Sequence, residues 1–167
     1  GPVQMTGADL WAEGNLAISA GAAVTMSATD IESGGILSIF ATGPVSLSSG
    51  SWLHGEFLNL ISGGAVSAVS GSEMGAYQDA EVSAAGNISF TGSGIHSDDT
   101  HVYLTTPGEI RLNDGSWVQA GDSVYLTLTG PASTLYVNET SGMATSTVEA
   151  GSALTIHINF TTRSAGG

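Results

Sequence analysis

Apolar residues in this chain recur in short alternating triplets: an apolar residue, a small or polar residue and a second apolar residue. Leu16, Leu37 and Leu58 each begin such a triplet, and their even spacing defines one repeat of the chain. An alternation of period two places both apolar side chains on one face of a β-strand and the middle residue on the other. The pattern therefore predicts short strands that return to one position once per repeat.

Three rows of apolar positions keep this spacing along most of the chain. The first row consists of Leu16/Ile18, Leu37/Ile39, Leu58/Leu60, Ala80/Val82, Val102/Leu104 and Val124/Leu126. The second row consists of Val3/Met5, Val24/Met26, Val45/Leu47, Val66/Ala68, Ile88/Phe90 and Ile110/Leu112. The third row has one large residue per repeat, namely Leu10, Ile31, Trp52, Met74, Ile95 and Trp117. We therefore predict that Trp52 and Trp117 fill the core. The spacing lengthens by one position after residue 68, which indicates insertions at corners between strands.

Glycine is frequent in the segments that separate the triplets. These glycines are Gly14, Gly21, Gly35, Gly43, Gly64, Gly86, Gly108 and Gly121. Because glycine tolerates the positive φ angles of sharp corners, the segments predict tight turns. No segment shows the i, i+3, i+4 spacing of an amphipathic helix over three turns, so helices are disfavoured.

Three short strands per repeat, joined by corners, predict an all-β fold, a single-stranded parallel β-helix with coils of roughly 21–22 residues. Successive coils would stack about 4.8 Å apart, and residues 3–128 supply about six of them. The alternative is an antiparallel sandwich or barrel of similarly short strands. That alternative gives no reason for three rows to stay in phase.

After residue 128 the register weakens, and residues 129–167 are predicted to form further coils, a cap or the start of another module. The residues that could continue the rows are Leu135/Val137, Met143, and an alternating strand of Leu154, Ile156, Ile158 and Phe160. An uncovered solenoid end exposes unpaired strand edges, so we expect something to cover it. Gly1 and Pro2 are typical of the pair left when a protease removes a purification tag.

The charge balance is strongly acidic, with two Lys+Arg, fifteen Asp+Glu and a formal net charge of −13. Such a surface excludes nucleic acid and anionic membranes as electrostatic partners. Because cysteine and lysine are both absent, disulfides, thiolate metal sites and a P-loop are excluded as well. No run approaches the ~20 apolar residues that span a bilayer, so we expect no membrane insertion.

Several segments resemble the haemagglutinin-type repeats of filamentous haemagglutinin and related two-partner-secreted exoproteins. They are residues 14–28, which read GNLAISAGAAVTMSA, residues 86–92, GNISFTG, and residues 120–126, AGDSVYL. The resemblance covers roughly residues 3–128. It implies a right-handed parallel β-helix that forms part of a long bacterial fibre, secreted or on the cell surface. The secretion domain of that family is not seen here, and the register already runs at Val3. We therefore expect a segment from within a longer fibre.

The fold and the resemblance together predict a non-enzymatic structural or adhesive segment. Its expected partners are host or matrix glycans, or like rods. Two alternatives remain open: a self-assembling filament subunit whose rods stack end to end by strand addition, and a polysaccharide-active β-helix enzyme or tailspike.

The densest group of polar side chains contains His96, Asp98, Asp99 and His101. Two carboxylates could serve as acid and base in glycoside hydrolysis, and two histidines with two aspartates could hold a metal ion. However, β-helix enzymes that cut polysaccharides place their carboxylates on adjacent coils, and Arg111 is the only cation within the repeats. We therefore favour a solvated corner as the interpretation of this group. We assign no catalytic or cofactor-binding residue, and leave loose Ca²⁺ binding by the acidic residues open.

Two tyrosines occupy equivalent outward positions of the first row. Tyr103 and Tyr125 lie one repeat apart, so they are predicted to stack, exposed, on successive coils. Stacked aromatic faces suit a sugar ring or the flank of a neighbouring rod. An aromatic ladder that only stabilises the sheet is the interpretation that we favour over such a contact. Trp11 and Tyr77 follow row positions and are predicted at corners.

Overall fold

A computed structural model of the chain describes residues 1–138 and 146–158, and its regular structure there is entirely β-strand. The strands are β1 (Val3–Thr6), β2 (Asp9–Ala12), β3 (Leu16–Ala20), β4 (Val24–Ser27), β5 (Asp30–Ala41), β6 (Val45–Ser48), β7 (Trp52–Ser62), β8 (Val66–Val69), β9 (Glu73–Ala76), β10 (Ala80–Ala84), β11 (Ile88–Thr91), β12 (Gly94–Ser97), β13 (His101–Thr106), β14 (Ile110–Asn113), β15 (Trp117–Ala120), β16 (Ser123–Leu128), β17 (Leu135–Asn138), β18 (Thr147–Ala150) and β19 (Ala153–Ile158). Within the described residues, no helix has the length and hydropathy of a membrane span.

The strands stack as a parallel β-solenoid of about six turns, as the sequence predicts. The second row forms a seven-stranded sheet in the order β1-β4-β6-β8-β11-β14-β17. The other twelve strands form one sheet that carries the first and third rows. The strands β5 and β7 are long enough to belong to both rows, so that β5 pairs with β2 at one end and with β3 at the other.

The first and second rows have the predicted register. Leu37 lies opposite Leu16 on one side and Leu58 on the other, and Val45 lies opposite Val24 and Val66 in the same way. All of these residues except Leu16 are fully buried, to within 1% exposure. The interior of the solenoid is therefore a set of apolar ladders, one rung per coil.

The prediction that Trp52 and Trp117 belong to the core is wrong. Leu53 lies opposite Ile31, and Val118 lies opposite Ile95, so these smaller residues complete the third row. The two tryptophans precede them by one residue, point outward and are half-buried.

The corner that follows the second row accounts for this error. In one coil it contains a single left-handed residue, Ala28, with φ 48°, whereas in the next it contains two, Ser49 and Gly50, with φ 57° and 72°. The extra residue moves the third row by one position before residue 68. Insertions do lie at corners, as predicted. The first insertion, at Ser49 and Gly50, comes before residue 68, whereas the spacing of the first and second rows lengthens only after that residue.

A β-bulge in β5 restores the register between β5 and β7. Gly34 and Gly35 together oppose one residue, Glu56, so that Ile36 pairs with Phe57 after Ser33 has paired with Gly55. A Cβ on Gly34 would lie 2.3 Å from the carbonyl oxygen of Glu13 in the neighbouring coil. Only glycine allows this close approach.

A ladder of buried hydroxyl side chains runs along the corner before the third row, and sequence analysis missed it. Its members are Thr29, Ser51, Ser72, Ser93, Ser116 and Ser146. The backbone N–H of Ser51 donates to Ser72 Oγ at 3.2 Å, and the N–H of Ser72 donates to Ser93 Oγ at 3.1 Å. The ladder satisfies corner amides that the strands leave unpaired.

The strands after residue 128 add to the same two sheets. β17 pairs with β14, β18 with β15 and β19 with β16. Leu135 continues the second row, and Leu154 continues the first. The predicted positions of Met143 and Phe160 lie outside the described residues.

Of the two aromatic residues predicted at corners, only Tyr77 lies at one, directly after β9 ends at Ala76. Trp11 instead lies within β2, opposite Glu32, and is 64% exposed. Its side chain belongs to the outward face of the third-row strands.

Candidate binding faces

The outward positions of the third-row strands bring together side chains from several coils. In one line of cross-strand neighbours, His54 and His96 lie on either side of Gly75. In a second line of outward neighbours, two residues earlier on the same strands, Trp52 lies opposite Glu73. The name histidine face is used here for Trp52, His54, Glu73, Gly75, Tyr77, His96 and Asp98. The strands β7, β9 and β12 carry most of these residues. Their positions are fixed, because the neighbouring inward residues on the same strands are buried in the core.

Gly75 allows the two histidine rings to approach each other across the coil between them. A Cβ at Gly75 would lie 2.3 Å from Cε1 and 2.6 Å from Nε2 of His96, and 2.8 Å from Cδ2 of His54. The ring centroids of His54 and His96 are 5.7 Å apart. Two coils of backbone correspond to about 9.6 Å, so both rings lean over the glycine.

Aromatic rings enclose His54. It stacks on Trp52 with a centroid distance of 5.1 Å and an interplanar angle of 5°, and meets the edge of Tyr77 at 4.6 Å. The residue is only 5% exposed. Burial, followed by the nearby His96, lowers the pKa of His54, and the surrounding carboxylates do not offset this. His54 is therefore a neutral imidazole near pH 7.

Carboxylates hold the second histidine of this face. His96 Nδ1 lies 3.0 Å from Glu73 Oε1, and His96 Nε2 lies 3.7 Å from Asp98 Oδ1. One ligand atom from each of His54, His96 and Asp98 lies within 4.8 Å of the others. Imidazole and carboxylate are the donors that bind zinc and related ions in proteins.

A second cluster lies on the first-row side of the same sheet. The name tyrosine face is used here for Asp79, His101, Tyr103, Asp122 and Tyr125. Tyr103 and Tyr125 are cross-strand neighbours, and their rings stack 4.9 Å apart at 8°. The predicted stacking is confirmed, although both side chains are half-buried rather than fully exposed. His101 Nδ1 lies 2.9 Å from Asp79 Oδ1, and its Nε2 lies 3.1 Å from Asp122 Oδ2.

Hydrogen bonds control the charge of Asp79 in this cluster. Burial opposes its ionisation, but hydrogen bonds from Thr100 Oγ1 at 2.6 Å and from His101 outweigh burial and lower the pKa of Asp79. Burial, followed by the Asp79 carboxylate, raises the pKa of Tyr103. Tyr103 is therefore a neutral phenol bordered by negative charge.

Comparison of the chain with protein-family models, curated proteins and solved structures finds no match. The likeness to filamentous haemagglutinin repeats therefore rests on the sequence pattern alone.

The structure divides the four residues singled out from the sequence. His96 and Asp98 belong to the histidine face, whereas His101 belongs to the tyrosine face with other partners. Asp99 is an exposed corner residue whose N–H donates to the carbonyl of Tyr77 at 2.9 Å.

Sequence analysis missed two members of the histidine face that contact His96. They are His54 and Glu73. The spacing of His54, Gly75 and His96, one repeat at each step, is the signal that would have found the pair.

Proposed function

We propose that this chain is a stiff structural and adhesive segment of a secreted or cell-surface bacterial fibre. The observation that carries the proposal is the continuity of the parallel pairing, in which each coil from β1 to β17 uses the previous coil as its partner. Such a stack lengthens by repetition, as a fibre shaft must. The resemblance to haemagglutinin-type repeats supports the bacterial fibre, and the tyrosine face supports the adhesive role.

Stiffness follows from the way the coils are tied together. Backbone hydrogen bonds link successive coils in both sheets, and apolar and hydroxyl ladders fill the interior between them. Bending the rod would open these bonds on one side and leave buried polar groups unpaired. A segment of this kind would hold whatever it carries at a fixed distance from the cell.

The adhesive part of the proposal concerns the tyrosine face. Two parallel phenol rings on a flat strand surface provide an apolar platform of the size of a sugar ring, with hydroxyl groups at its edge. Asp79, Glu81 and Asp122 surround the platform with negative charge. Because the whole chain has a net charge of −13, we expect neutral glycans to bind better than sulfated or sialylated ones.

A glycan array tests the adhesive role. We expect the intact chain to bind a set of neutral glycans, and Tyr103→Ser combined with Tyr125→Ser to remove that binding while the circular dichroism spectrum stays the same. Trp11→Ser is the matched control, since it removes an exposed aromatic ring from the third-row side of the sheet. Equal binding by the double variant and the intact chain would contradict the role of the tyrosine face.

Association between like rods is a second candidate function, supported by a separate observation. Four apolar side chains lie on the outward side of neighbouring strands and are 40–48% exposed: Ile36, Phe40, Phe57 and Ile61. Light scattering at increasing protein concentration tests it. We expect the mass of the intact chain to rise with concentration. The double variant Phe40→Ser, Phe57→Ser should keep the mass of a monomer. A constant monomer mass for the intact chain would contradict association.

A further inference from the structure

We propose that the histidine face binds one divalent transition-metal ion, such as Zn²⁺, through a ring nitrogen of His54, Nε2 of His96 and the carboxylate of Asp98. A water molecule would occupy the remaining position. This site is independent of the fibre proposal, because it needs only the local geometry of three coils.

The donor set suits such an ion. Two imidazoles and one carboxylate with an open fourth position form one of the ligand combinations seen at zinc sites. The three donor atoms already lie within 4.8 Å of one another. Around a tetrahedral ion with bonds of about 2.0–2.1 Å, ligand atoms lie about 3.3 Å apart. The set therefore needs to contract by roughly 1.5 Å at its widest, a shift that side-chain rotation can supply.

The side chain that moves most easily is that of Asp98. Its carboxylate lies at an exposed corner, 3.7 Å from His96 Nε2. The rings of His54 and His96, by contrast, are held in place by Trp52, Tyr77 and Glu73. Two donors are thus positioned in advance, and a mobile third donor can close on the ion.

Glu73 provides an independent indication of a metal site. Its carboxylate lies 3.0 Å from Nδ1 of His96 and can accept a hydrogen bond from that nitrogen. This contact fixes the ring orientation and leaves Nε2 as the nitrogen with a free lone pair. A carboxylate on the far nitrogen of a histidine ligand is the usual arrangement at zinc sites. Glu73 is therefore a positioning residue rather than a ligand.

Gly75 supplies the space for the ion-binding geometry. His54 lies on β7 and His96 on β12, with one coil between them. Any side chain at position 75 would push the rings apart, because a Cβ there would lie within 2.8 Å of atoms of both. A bound ion would consequently connect two coils across the coil that lies between them, and its binding would stabilise the folded solenoid.

Titration of the metal-free full chain with ZnCl₂ in a calorimeter tests the site. We expect one ion per chain and, at a concentration one hundred times the Kd, a rise in Tm of about 5 °C or more. His96→Gln and Asp98→Asn should each weaken binding at least tenfold. Glu73→Gln should weaken binding about 10–100-fold without changing the Tm of the metal-free protein. Co²⁺ should give the visible absorption bands of a four-coordinate site, and His96→Gln should remove them.

His101→Gln is the matched control, because it removes a histidine that also has two carboxylate neighbours, on the tyrosine face. It should leave the zinc affinity unchanged. Absence of binding by the intact chain would overturn the proposal. So would an undiminished affinity in the His96→Gln, Asp98→Asn double variant, or a loss in His101→Gln as large as that in His96→Gln.

Discussion

Gly75 shows how one missing side chain can organise its neighbours. Cross-strand neighbours at an outward position normally form a ladder in which each side chain stands beside the next. Here the middle position is empty, and the histidines of the flanking coils fill it, with ring centroids 5.7 Å apart. Gly94 acts similarly, since a Cβ there would lie 2.4 Å from two ring atoms of Trp117. Glycines on strands, and not only at corners, therefore shape this surface.

Gly75→Ala tests this role. The new methyl group should displace the partly exposed His96 ring and press on the buried ring of His54, so we expect a stability loss of about 1–2 kcal/mol. The zinc affinity should fall at least tenfold. Urea unfolding and calorimetry measure the two effects. Gly14→Ala is the control, because a Cβ at Gly14 meets nothing within 4 Å, and equal zinc affinity in both variants would contradict the role of Gly75.

At the scale of elements, side-chain hydrogen bonds connect the corners of successive coils, in addition to the backbone hydrogen bonds between their strands. Ser72 Oγ donates to the carbonyl of Val69 at 2.8 Å and accepts the N–H of Ser51 at 3.2 Å. The residue is fully buried. The hydroxyl of Ser72 therefore joins its own corner to that of the previous coil, and those of Ser51, Ser93 and Ser146 accept an N–H from the previous coil in the same way.

Ser72→Ala should lower the free energy of unfolding by about 1–2 kcal/mol, because it removes both hydrogen bonds of a buried hydroxyl, although the N–H of Ser51 and the carbonyl of Val69 each keep one backbone partner. Urea unfolding monitored by tryptophan fluorescence gives the value. The exposed Ser19 on β3 provides the comparison, and Ser19→Ala should change stability by less than about 0.5 kcal/mol. A loss for Ser72→Ala as small as that for Ser19→Ala would show that the ladder adds nothing.

The tyrosine face links three coils through charge, and this link depends on pH. Although burial opposes it, contacts with Thr100 and His101 lower the pKa of Asp79 in the folded protein from the ordinary value of 3.8. The carboxylate therefore stabilises the fold above about pH 4, and the contribution is lost as pH falls through the lowered folded value. Further titratable groups around this pair are Tyr103, Tyr125, Glu81 and Asp122.

Asp79→Asn should accordingly destabilise the protein at pH 6, and the difference from the intact chain should shrink steadily as the pH is lowered from 4 towards 2. Urea unfolding at several pH values measures this difference. Asp99→Asn, at an exposed corner in neither face, should show a much smaller difference throughout. A difference for Asp79→Asn that is the same at all pH values would contradict the assigned pKa shift.

The elements themselves were predictable from sequence because the triplets repeat with strict alternation. The inward positions, such as Leu37 and Leu58, had to be apolar and alternate with outward positions that are free to vary, so the rows were visible. The placement of Trp52 was not predictable in the same way. It depends on whether a corner has one or two left-handed residues, and Ser49 adopts that conformation without being glycine.

The two faces were predictable only in part. Tyr103 and Tyr125 share a side-chain type at equivalent positions, so their stacking followed from the repeat length. The repeat spacing of His54, Gly75 and His96 encodes the placement of the two histidines on either side of a glycine, but it does not encode the ring orientations on which the site depends. His101 begins the next strand, and this separates it from His96 although the two are close along the chain.

At the scale of the whole molecule, the central claim is a stiff stack in which each coil adds one strand spacing. Because the chain has no cysteine, spin labels can be attached at chosen pairs of introduced cysteines. Gln4, Ser89, Arg111 and Tyr136 occupy equivalent outward positions along one sheet. Labels at Gln4 paired in turn with the other three therefore sample four, five and six coil steps.

Pulsed electron paramagnetic resonance on these three pairs is the most direct measurement. The stack predicts narrow distributions centred near about 19, 24 and 29 Å, rising by about 4.8 Å per coil. Distances that do not rise in this order, or distributions so broad that the three pairs overlap, would contradict a stiff parallel solenoid.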